Sequence, residues 1–257
     1  MIKTNYHTHT YRCKHAVGKD EDYVINAIKS GYKILGFSEH TPLMADKDQH
    51  NRSRMTIEEL PDYLDSVLAL KEKYKDDIEI LVGLECEYFS DYEDYFKELK
   101  DKYHLDYLIL GNHYYQEVGH DGYYGGITKE KEYLLDAYLE NSYKALKSGL
   151  YSMFAHPDII CRSADLVIDD KVIAVFEKIC EYSLEFDIPL EYNLSGLKHG
   201  VGYPNDAFFK VVAQKGCKVI MNGDCHDPYD LVSDLYDVGL KKLTELGCNV
   251  VDIVTLK

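Results

Sequence analysis

The sequence contains no tryptophan and has a marked deficit of basic side chains. Lys and Arg number 29 against 45 Asp and Glu, so the 257-residue chain carries a formal net charge of −16. Nucleic-acid surfaces are built from clustered Lys and Arg, which neutralise backbone phosphates. The composition therefore argues against a nucleic-acid partner. If the protein binds a phosphate, positive charge must be concentrated at that binding site.

Long apolar runs and paired cysteines are also lacking. No stretch approaches the roughly 20 apolar residues that a membrane-spanning helix needs, so we expect no membrane association. The seven cysteines form no CxxC pair, and an odd number spread over a chain of this length is not typical of a disulfide framework. We expect a soluble, unprocessed protein of the reducing cytoplasm.

Short runs rich in β-branched and apolar residues alternate with longer segments of helical period, which is typical of βα units around a parallel sheet. The predicted strands lie near residues 2–6, 33–38, 78–84, 105–111, 151–155, 188–192 and 218–222, with a possible eighth at 249–254. The predicted helices lie at 20–30, 56–75, 91–102, 129–148, 169–186, 205–215 and 230–246. No linker or shift in composition divides the chain, so we expect residues 1–257 to form one domain.

The placement of polar residues distinguishes a barrel from an open, doubly wound sheet. Barrel sites collect at the carboxyl ends of many strands, whereas an open sheet concentrates its site in one crevice. Possible metal ligands follow six of the seven predicted strands. They are His7 and His9, Glu39 and His40, Glu85 and Glu87, Asn112 and His113, His156 and Asp158, and Asp224 and His226. The sequence therefore predicts an α/β barrel with its site at the C-terminal ends of the strands.

Two pairs of candidate ligands share a two-residue spacing, His7 with His9 and Asp224 with His226. Alternate side chains of an extended chain point to the same face, so each pair can reach one ion. The intervening Cys225 is expected to point away and to be buried as an apolar residue. Imidazole and carboxylate groups are the usual ligands of zinc, iron and manganese.

Glu85 directly follows the apolar run Ile80–Leu84, where a carboxylate without a partner would be costly to bury. Bound cations would supply that partner. Glu87 lies two positions further on and shares the same face, so the sequence leaves both residues open as the ligand. Glu85 is favoured because it lies nearer the strand end.

These stretches resemble the motifs of the polymerase and histidinol phosphatase (PHP) superfamily, and within it those of the histidinol-phosphate phosphatases. The similar stretches span almost the whole chain and are Tyr6–Thr10, Gly36–Pro42, Gly83–Glu85, His113, His156–Pro157 and Gly223–His226. Two further segments, Arg54–Pro61 and Tyr192–Lys198, resemble stretches of the histidinol-phosphate phosphatase group. That group often carries arginine where this chain has Lys198. A lysine ammonium, which acts as a point charge, therefore replaces a guanidinium that can donate two parallel hydrogen bonds.

The resemblance implies a distorted (β/α)7 TIM-like barrel that holds three divalent ions. The native metal is expected to be zinc, iron or manganese, and the sequence does not choose among them. Carried over by position, the ligands are His7, His9, Glu85 and Asp224 for the first ion, Glu85, His113 and His156 for the second, and His15, His40 and His226 for the third.

The activity implied by the resemblance is hydrolysis of a small phosphomonoester, with L-histidinol phosphate as the expected substrate. We expect a hydroxide that bridges two ions to attack phosphorus in line with the alcohol leaving group. Arg162, Lys198 and His199 are the expected substrate contacts, and Arg162 serves catalysis by binding the phosphate. Asp224 or a metal-bound water is expected to protonate the leaving alcohol.

Three alternatives remain compatible with the sequence, which does not determine the oligomeric state. A PHP phosphatase or phosphodiesterase could act on phosphotyrosine, a nucleotide or a sugar phosphate instead. A non-catalytic sensor of the same fold would bind metal and hydrolyse no ester. A metal-dependent amidohydrolase barrel usually carries a ligating lysine or another spacing after its HxH pair, and the separate His15 and His40 argue against it.

Overall fold

The structure, a computed structural model, describes residues 2–43, 53–114, 131–162 and 166–257. The strands are β1 (Lys3–Asn5), β2 (Tyr32–His40), β3 (Glu79–Cys86), β4 (Tyr107–Gly111), β5 (Met153–Ala155), β6 (Leu190–Asn193), β7 (Lys218–Asn222) and β8 (Asn249–Val250). The helices are α1 (Asp20–Lys29), α2 (Leu60–Lys73), α3 (Glu93–Tyr103), α4 (Lys131–Lys147), α5 (Asp170–Phe186), α6 (Leu194–His199), α7 (Asp206–Lys215) and α8 (Leu235–Leu246). None of these helices combines the length and the apolar character needed to cross a membrane.

The described strands form one parallel sheet in chain order, from β1 to β8. The sheet curls until the segments that follow β1 and β7 meet, where Thr8 and Cys225 form a parallel bridge. The N–H of His9 donates to the carbonyl of Cys225 at 2.9 Å, and the N–H of Cys225 donates to the carbonyl of His7 at 3.2 Å. The predicted TIM-like α/β architecture is confirmed, and its closure brings the HxH and DxH pairs side by side.

The eighth strand, which the sequence offered as a possible addition to seven, is present and lies next to β7 at the edge of the sheet. It is only two residues long and pairs with the amino-terminal part of β7, at Lys218 and Val219. Beyond it, the carboxylate of Asp252 accepts a hydrogen bond from the N–H of Ile2 at 2.9 Å, and its carbonyl accepts one from the Thr4 hydroxyl at 2.7 Å. Residues 249–252 thus fill the gap between β7 and β1 at the amino-terminal side of the barrel.

The barrel interior is packed with side chains and leaves no pore through the described strands. The buried residues of this interior are Tyr6, Ile34, Leu81, Tyr107, Ile109, Met153, Ala155, Ile220 and Val254. The hydroxyl of Tyr107 donates to the carbonyls of Tyr6 at 2.6 Å and Phe37 at 3.2 Å. A Cβ at Gly36 would overlap that hydroxyl, so only glycine leaves room for it. A filled barrel restricts the functional site to the strand ends.

Some predicted helices differ from the observed ones. The helix predicted at 56–75 begins at Leu60, and residues 129–130 of the one predicted at 129–148 lie outside the described residues. The segment predicted as a helix at 230–246 is divided, because Asp227 caps a short 3-10 turn at Pro228–Val232 before α8 begins.

Helix α6 was not predicted at all. The side chain of Asn193 accepts a hydrogen bond from the N–H of Gly196 at 2.8 Å and so starts the helix directly after β6. Gly200 ends it with a φ of +61°. Six residues are too few to show a helical period, which is why the sequence pattern gave no signal.

Candidate metal centre

The nine predicted metal ligands converge at the carboxyl-terminal ends of the strands. Seven of them line a cavity of about 780 Å³. These seven are His15, His40, Glu85, His113, His156, Asp224 and His226. His7 and His9 are completely buried and contact Glu85 and Asp224.

A first group, His7, His9, Glu85 and Asp224, brings four donor atoms together. Nε2 of His7 lies 3.1 Å from Nε2 of His9, and 3.5 Å from both Oε2 of Glu85 and Oδ1 of Asp224. Nε2 of His9 lies 3.5 Å from the same Glu85 oxygen and 3.2 Å from the same Asp224 oxygen. Ligands about 2.1 Å from a tetrahedral ion stand about 3.4 Å apart, so this group fits a zinc-sized ion.

In both histidines of the first group, Nδ1 lies next to a glutamate carboxylate that orients the ring. Nδ1 of His7 lies 2.8 Å from Oε1 of Glu191, and Nδ1 of His9 lies 3.3 Å from Oε1 of Glu39. An imidazole that donates through Nδ1 presents a lone pair on Nε2. Two lone pairs and two carboxylate oxygens therefore face one another, and this arrangement is repulsive unless a cation or protons lie between them.

Glu85 also reaches a second group, which contains His113 and His156. Its Oε1 lies 2.9 Å from Nε2 of His156 and 3.7 Å from Nε2 of His113. Gly111, at the end of β4, makes room for this carboxylate, since a Cβ there would lie 2.7 Å from Cδ of Glu85 and overlap Oε1. The two oxygens of Glu85 thus face different sets of histidines, which is the geometry of a bridging ligand.

A third group consists of His15, His40 and His226, whose ring donors lie within 4.8 Å of one another. Nδ1 of His15 and of His226 each donates to the carbonyl two residues earlier, at 2.7 and 3.0 Å. Their Nε2 atoms are left for another partner, and Nε2 of His226 is a buried atom with no hydrogen bond to any described residue. Nδ1 of His40 lies 2.8 Å from Oε2 of Glu85, so His40 stands between the first and third groups.

Glu87, which the sequence left open as a ligand, lines the cavity but uses both carboxylate oxygens on His113. Its Oε1 accepts a hydrogen bond from Nδ1 of His113 at 2.8 Å, and its Oε2 accepts from the N–H of His113 at 2.9 Å. It therefore orients His113, as Glu39 orients His9. The buried Glu191 does the same for His7, and sequence reasoning missed it. The available signal was a carboxylate inside the buried strand β6.

The electrostatics of the groups are those of a cation site. Burial alone would lower the pKa values of His7 and His9, but the surrounding carboxylates raise that of His7 well above its ordinary value and that of His9 to about 9. Burial alone would raise the pKa values of Glu85 and Asp224, but the histidines hold both well below the ordinary range. Without bound ions the carboxylates are balanced by protonated imidazoles, which divalent ions would replace.

Backbone strain is found at two of the candidate ligands. His156 and Asp224, which follow β5 and β7, have φ values of +31° and +46°. Such conformations cost a non-glycine residue about 1–3 kcal/mol and persist where the surroundings fix them. The N–H of His156 donates to Oε2 of Glu191 at 2.8 Å, and Oδ2 of Asp224 accepts from Asn193 at 3.2 Å. These contacts hold both side chains toward the cavity.

The predicted substrate contacts Arg162, Lys198 and His199 line the same cavity. Arg162 ends a 3-10 turn at Ile159–Arg162 and is exposed. Lys198 and His199 are the last two residues of α6, and Nζ of Lys198 pairs with Oδ1 of Asp230 at 2.7 Å. Arg54 also lines the cavity, although the sequence singled out only its segment.

A parallel, TIM-like barrel whose strand ends gather imidazole and carboxylate donors around a shared glutamate defines a metal-binding barrel. The donor set fits zinc, iron or manganese. The chain belongs to the PHP domain family, since the model of that family matches residues 5–195.

Known proteins resemble this chain over nearly its full length. It is 25% identical over 247 residues to a protein of Schizosaccharomyces pombe named "Probable histidinol-phosphatase", covering 88% of this chain and 81% of that one. It is 25% identical over 269 residues to the histidinol-phosphatase of Bacillus subtilis, covering 90% and 96%. The fold also matches the histidinol phosphate phosphatase of Lactococcus lactis, solved with zinc, L-histidinol and phosphate, with a TM-score of 0.71, 19% identity and coverage of 97% and 95%.

Proposed function

We propose that this protein is a metal-dependent phosphomonoester hydrolase that converts L-histidinol phosphate and water into L-histidinol and phosphate. The observation that carries the proposal is the position of Glu85. Its two oxygens face two different sets of histidines, at 2.9–3.7 Å, in the room that Gly111 leaves. Paired divalent ions joined by one carboxylate are suited to in-line displacement at phosphorus.

Our assignment of ligands follows the three groups. His7, His9, Glu85 and Asp224 would hold the first ion, and Glu85, His113 and His156 the second. His15, His40 and His226 would hold the third. Ions in these positions would lower the pKa of a bound water and neutralise phosphate oxygens. Three divalent ions would contribute six positive charges against the formal net charge of −16, so the cavity would become cationic while the protein stays acidic overall.

The remaining steps fall to side chains of this chain. The guanidinium of Arg162 and the ammonium of Lys198 lie on the cavity wall and would neutralise the phosphoryl oxygens. Asp224 has one oxygen in the first group and the other bonded to Asn193, and the histidines keep it ionised. It would therefore first take a proton from the attacking water and then pass that proton to the leaving alcohol, and a water bound in the site is the alternative donor. His199 would contact the substrate from the end of α6.

The choice of histidinol phosphate rests on the relatives and on the cavity. The relatives of S. pombe and B. subtilis carry the histidinol-phosphatase name, and this chain matches most of the length of each. The carboxylates of Asp227 and Asp230 line the cavity together with seven of the nine candidate ligands, and acidic walls favour a substrate that carries a cationic amine.

Purification under reducing conditions, elemental analysis and assay on L-histidinol phosphate test the proposal. We expect about three metal equivalents per chain and phosphate release that is much faster than with phosphotyrosine, a nucleotide or a sugar phosphate. Faster hydrolysis of one of those esters would show that this ester is the substrate and would leave the proposed reaction class unchanged. Full turnover by a metal-free His9→Ala protein would refute the metal-dependent mechanism.

A further inference from the structure

Arg54 is a buried cation on the cavity wall whose charge is poorly matched by the described residues around it. It precedes α2 and is 7% exposed. Nη1 donates to the carbonyl of Thr41 at 3.3 Å, and Nη2 lies 3.9 Å from Oε1 of Glu87. These are its polar contacts within the described part of the chain. A guanidinium has five N–H donors, and the described residues engage only some of them.

Glu87 is not a dedicated partner for Arg54. Its two oxygens accept hydrogen bonds from Nδ1 and N–H of His113, at 2.8 and 2.9 Å, and from the N–H of Tyr114 at 3.3 Å. The contact to Arg54, at 3.9 Å, is longer than any of these. The carboxylate is thus committed to His113, and no described carboxylate lies within hydrogen-bond distance of the guanidinium.

Arg12 is a second buried arginine, and its carboxylate partners provide a comparison for Arg54. It is 3% exposed, and its guanidinium donates to Asp20 at 2.8 Å and to Asp62 at 2.7 and 2.8 Å. Buried charges are normally paired in this way, because an unpaired charge loses its hydration without compensation. Arg54 is buried to a similar degree, lines the cavity and has no comparable pairing among the described residues.

The neighbours of Arg54 place it next to two candidate ligands. Thr41 follows His40 directly, and Glu87 holds His113. The rings of His40 and His113 are themselves in contact, with centroids 5.8 Å apart. An anion held between these two imidazoles would lie beside the guanidinium, and a planar fork of N–H donors matches two oxygens of a phosphoryl group.

We propose that Arg54 binds the phosphoryl oxygens of the substrate and of the phosphate product, on the His40–His113 side of the cavity. This inference rests on the proposed phosphatase function and adds a ligand-binding residue to it. The guanidinium of Arg54 can donate two parallel hydrogen bonds to the phosphoryl group. The ammonium of Lys198 cannot do this, and it is already paired with Asp230.

The test is the affinity of the metal-loaded protein for inorganic phosphate, measured by calorimetry, with metal content measured on the same samples. Arg54→Met should weaken phosphate binding about 10–100-fold with unchanged metal content, and Arg54→Lys should retain part of the affinity. Arg12→Met, a matched buried arginine outside the cavity, should lower stability and leave phosphate affinity within twofold of the wild type.

An unchanged phosphate affinity in both Arg54 variants would overturn the inference. So would a loss of affinity that merely follows a loss of metal, because Arg54 would then act through Glu87 and His113. Wild-type protein that binds phosphate through Arg54 but fails to hydrolyse histidinol phosphate would reject the substrate and keep this assignment.

Discussion

Nδ1 of His7 donates a hydrogen bond to Oε1 of Glu191 at 2.8 Å, and both side chains are completely buried. The other oxygen of Glu191 accepts hydrogen bonds from the N–H of His156 and the amide of Asn193, each at 2.8 Å. A single carboxylate on β6 therefore orients a candidate ligand of the first group and one of the second. The spacing of the two proposed ions depends on a residue that touches neither of them.

Replacing Glu191 with glutamine keeps its shape and removes its charge. Because Nδ1 of His7 would lose its anionic acceptor, the imidazole would be a weaker and less well oriented ligand. We expect Glu191→Gln to lower metal affinity about 10–100-fold, and excess metal to restore part of the activity. Metal titration and elemental analysis after dialysis measure this.

An exposed carboxylate provides the control for that substitution. Glu140 on α4 is exposed and pairs with Lys144 at the surface, so Glu140→Gln should leave metal affinity unchanged. Equal metal retention in the two variants would show that Glu191 is dispensable for the site.

Gly111 makes a second prediction possible. A methyl group at this position would displace the carboxylate of Glu85, because the added carbon would lie 2.7 Å from Cδ. We expect Gly111→Ala to lose at least one metal equivalent and to lower kcat/KM by about two orders of magnitude or more, as Glu85→Ala should.

Gly149 is the matched control for Gly111. Its φ is +73°, but a Cβ there would meet nothing within 4 Å. Gly149→Ala should therefore cost about 1 kcal/mol of stability through the backbone and leave metal content intact. Full metal occupancy in Gly111→Ala would contradict the bridging role of Glu85.

Metal binding should release protons. In the protein without ions the pKa of His9 is raised to about 9 and that of His7 well above its ordinary value, so both imidazoles are protonated at pH 7. A ligating imidazole must be neutral, so the first ion has to displace about two protons, and its apparent affinity should fall as the pH is lowered.

Calorimetry in buffers of different ionisation enthalpy counts those protons. The number released should decrease as the pH rises above about 9, where His9 is already neutral in the metal-free protein. His9→Gln should release fewer protons at pH 7 than the wild type. Metal binding at pH 7 without proton release would show that the imidazoles are already neutral in the metal-free protein.

The barrel and the placement of most candidate ligands at one rim were predictable from the sequence because strand ends in a parallel barrel share that rim, whereas the full set of nine was implied by the resemblance to the PHP superfamily. Any ligand that follows a strand, such as His113 or His156, is brought there by topology alone. Glu191 was not predictable in this way, because its role depends on its position inside β6 opposite His7. Arg54 was equally hidden, since it follows no strand and reaches the cavity from the segment before α2.

The local conformation of some segments could not be predicted from the sequence for a different reason. Helix α6 depends on one capping bond from Asn193, and the division of the last predicted helix depends on the cap at Asp227. Such bonds involve single side chains and leave no periodic trace. The strained φ values at His156 and Asp224 likewise follow from tertiary contacts and not from residue type.

The interior hydroxyl of Tyr107 gives a prediction about stability that is separate from the site. It donates to the carbonyls of Tyr6 and Phe37 in a fully buried position. Removing it would leave two buried acceptors without this donor and a small void beside Gly36. We expect Tyr107→Phe to lower the free energy of unfolding by about 1–3 kcal/mol in urea denaturation. Tyr229→Phe, at a tyrosine that is 74% exposed, should change it by less than about 0.5 kcal/mol. Equal stabilities of the two variants would show that the Tyr107 hydroxyl does not hold the barrel strands together.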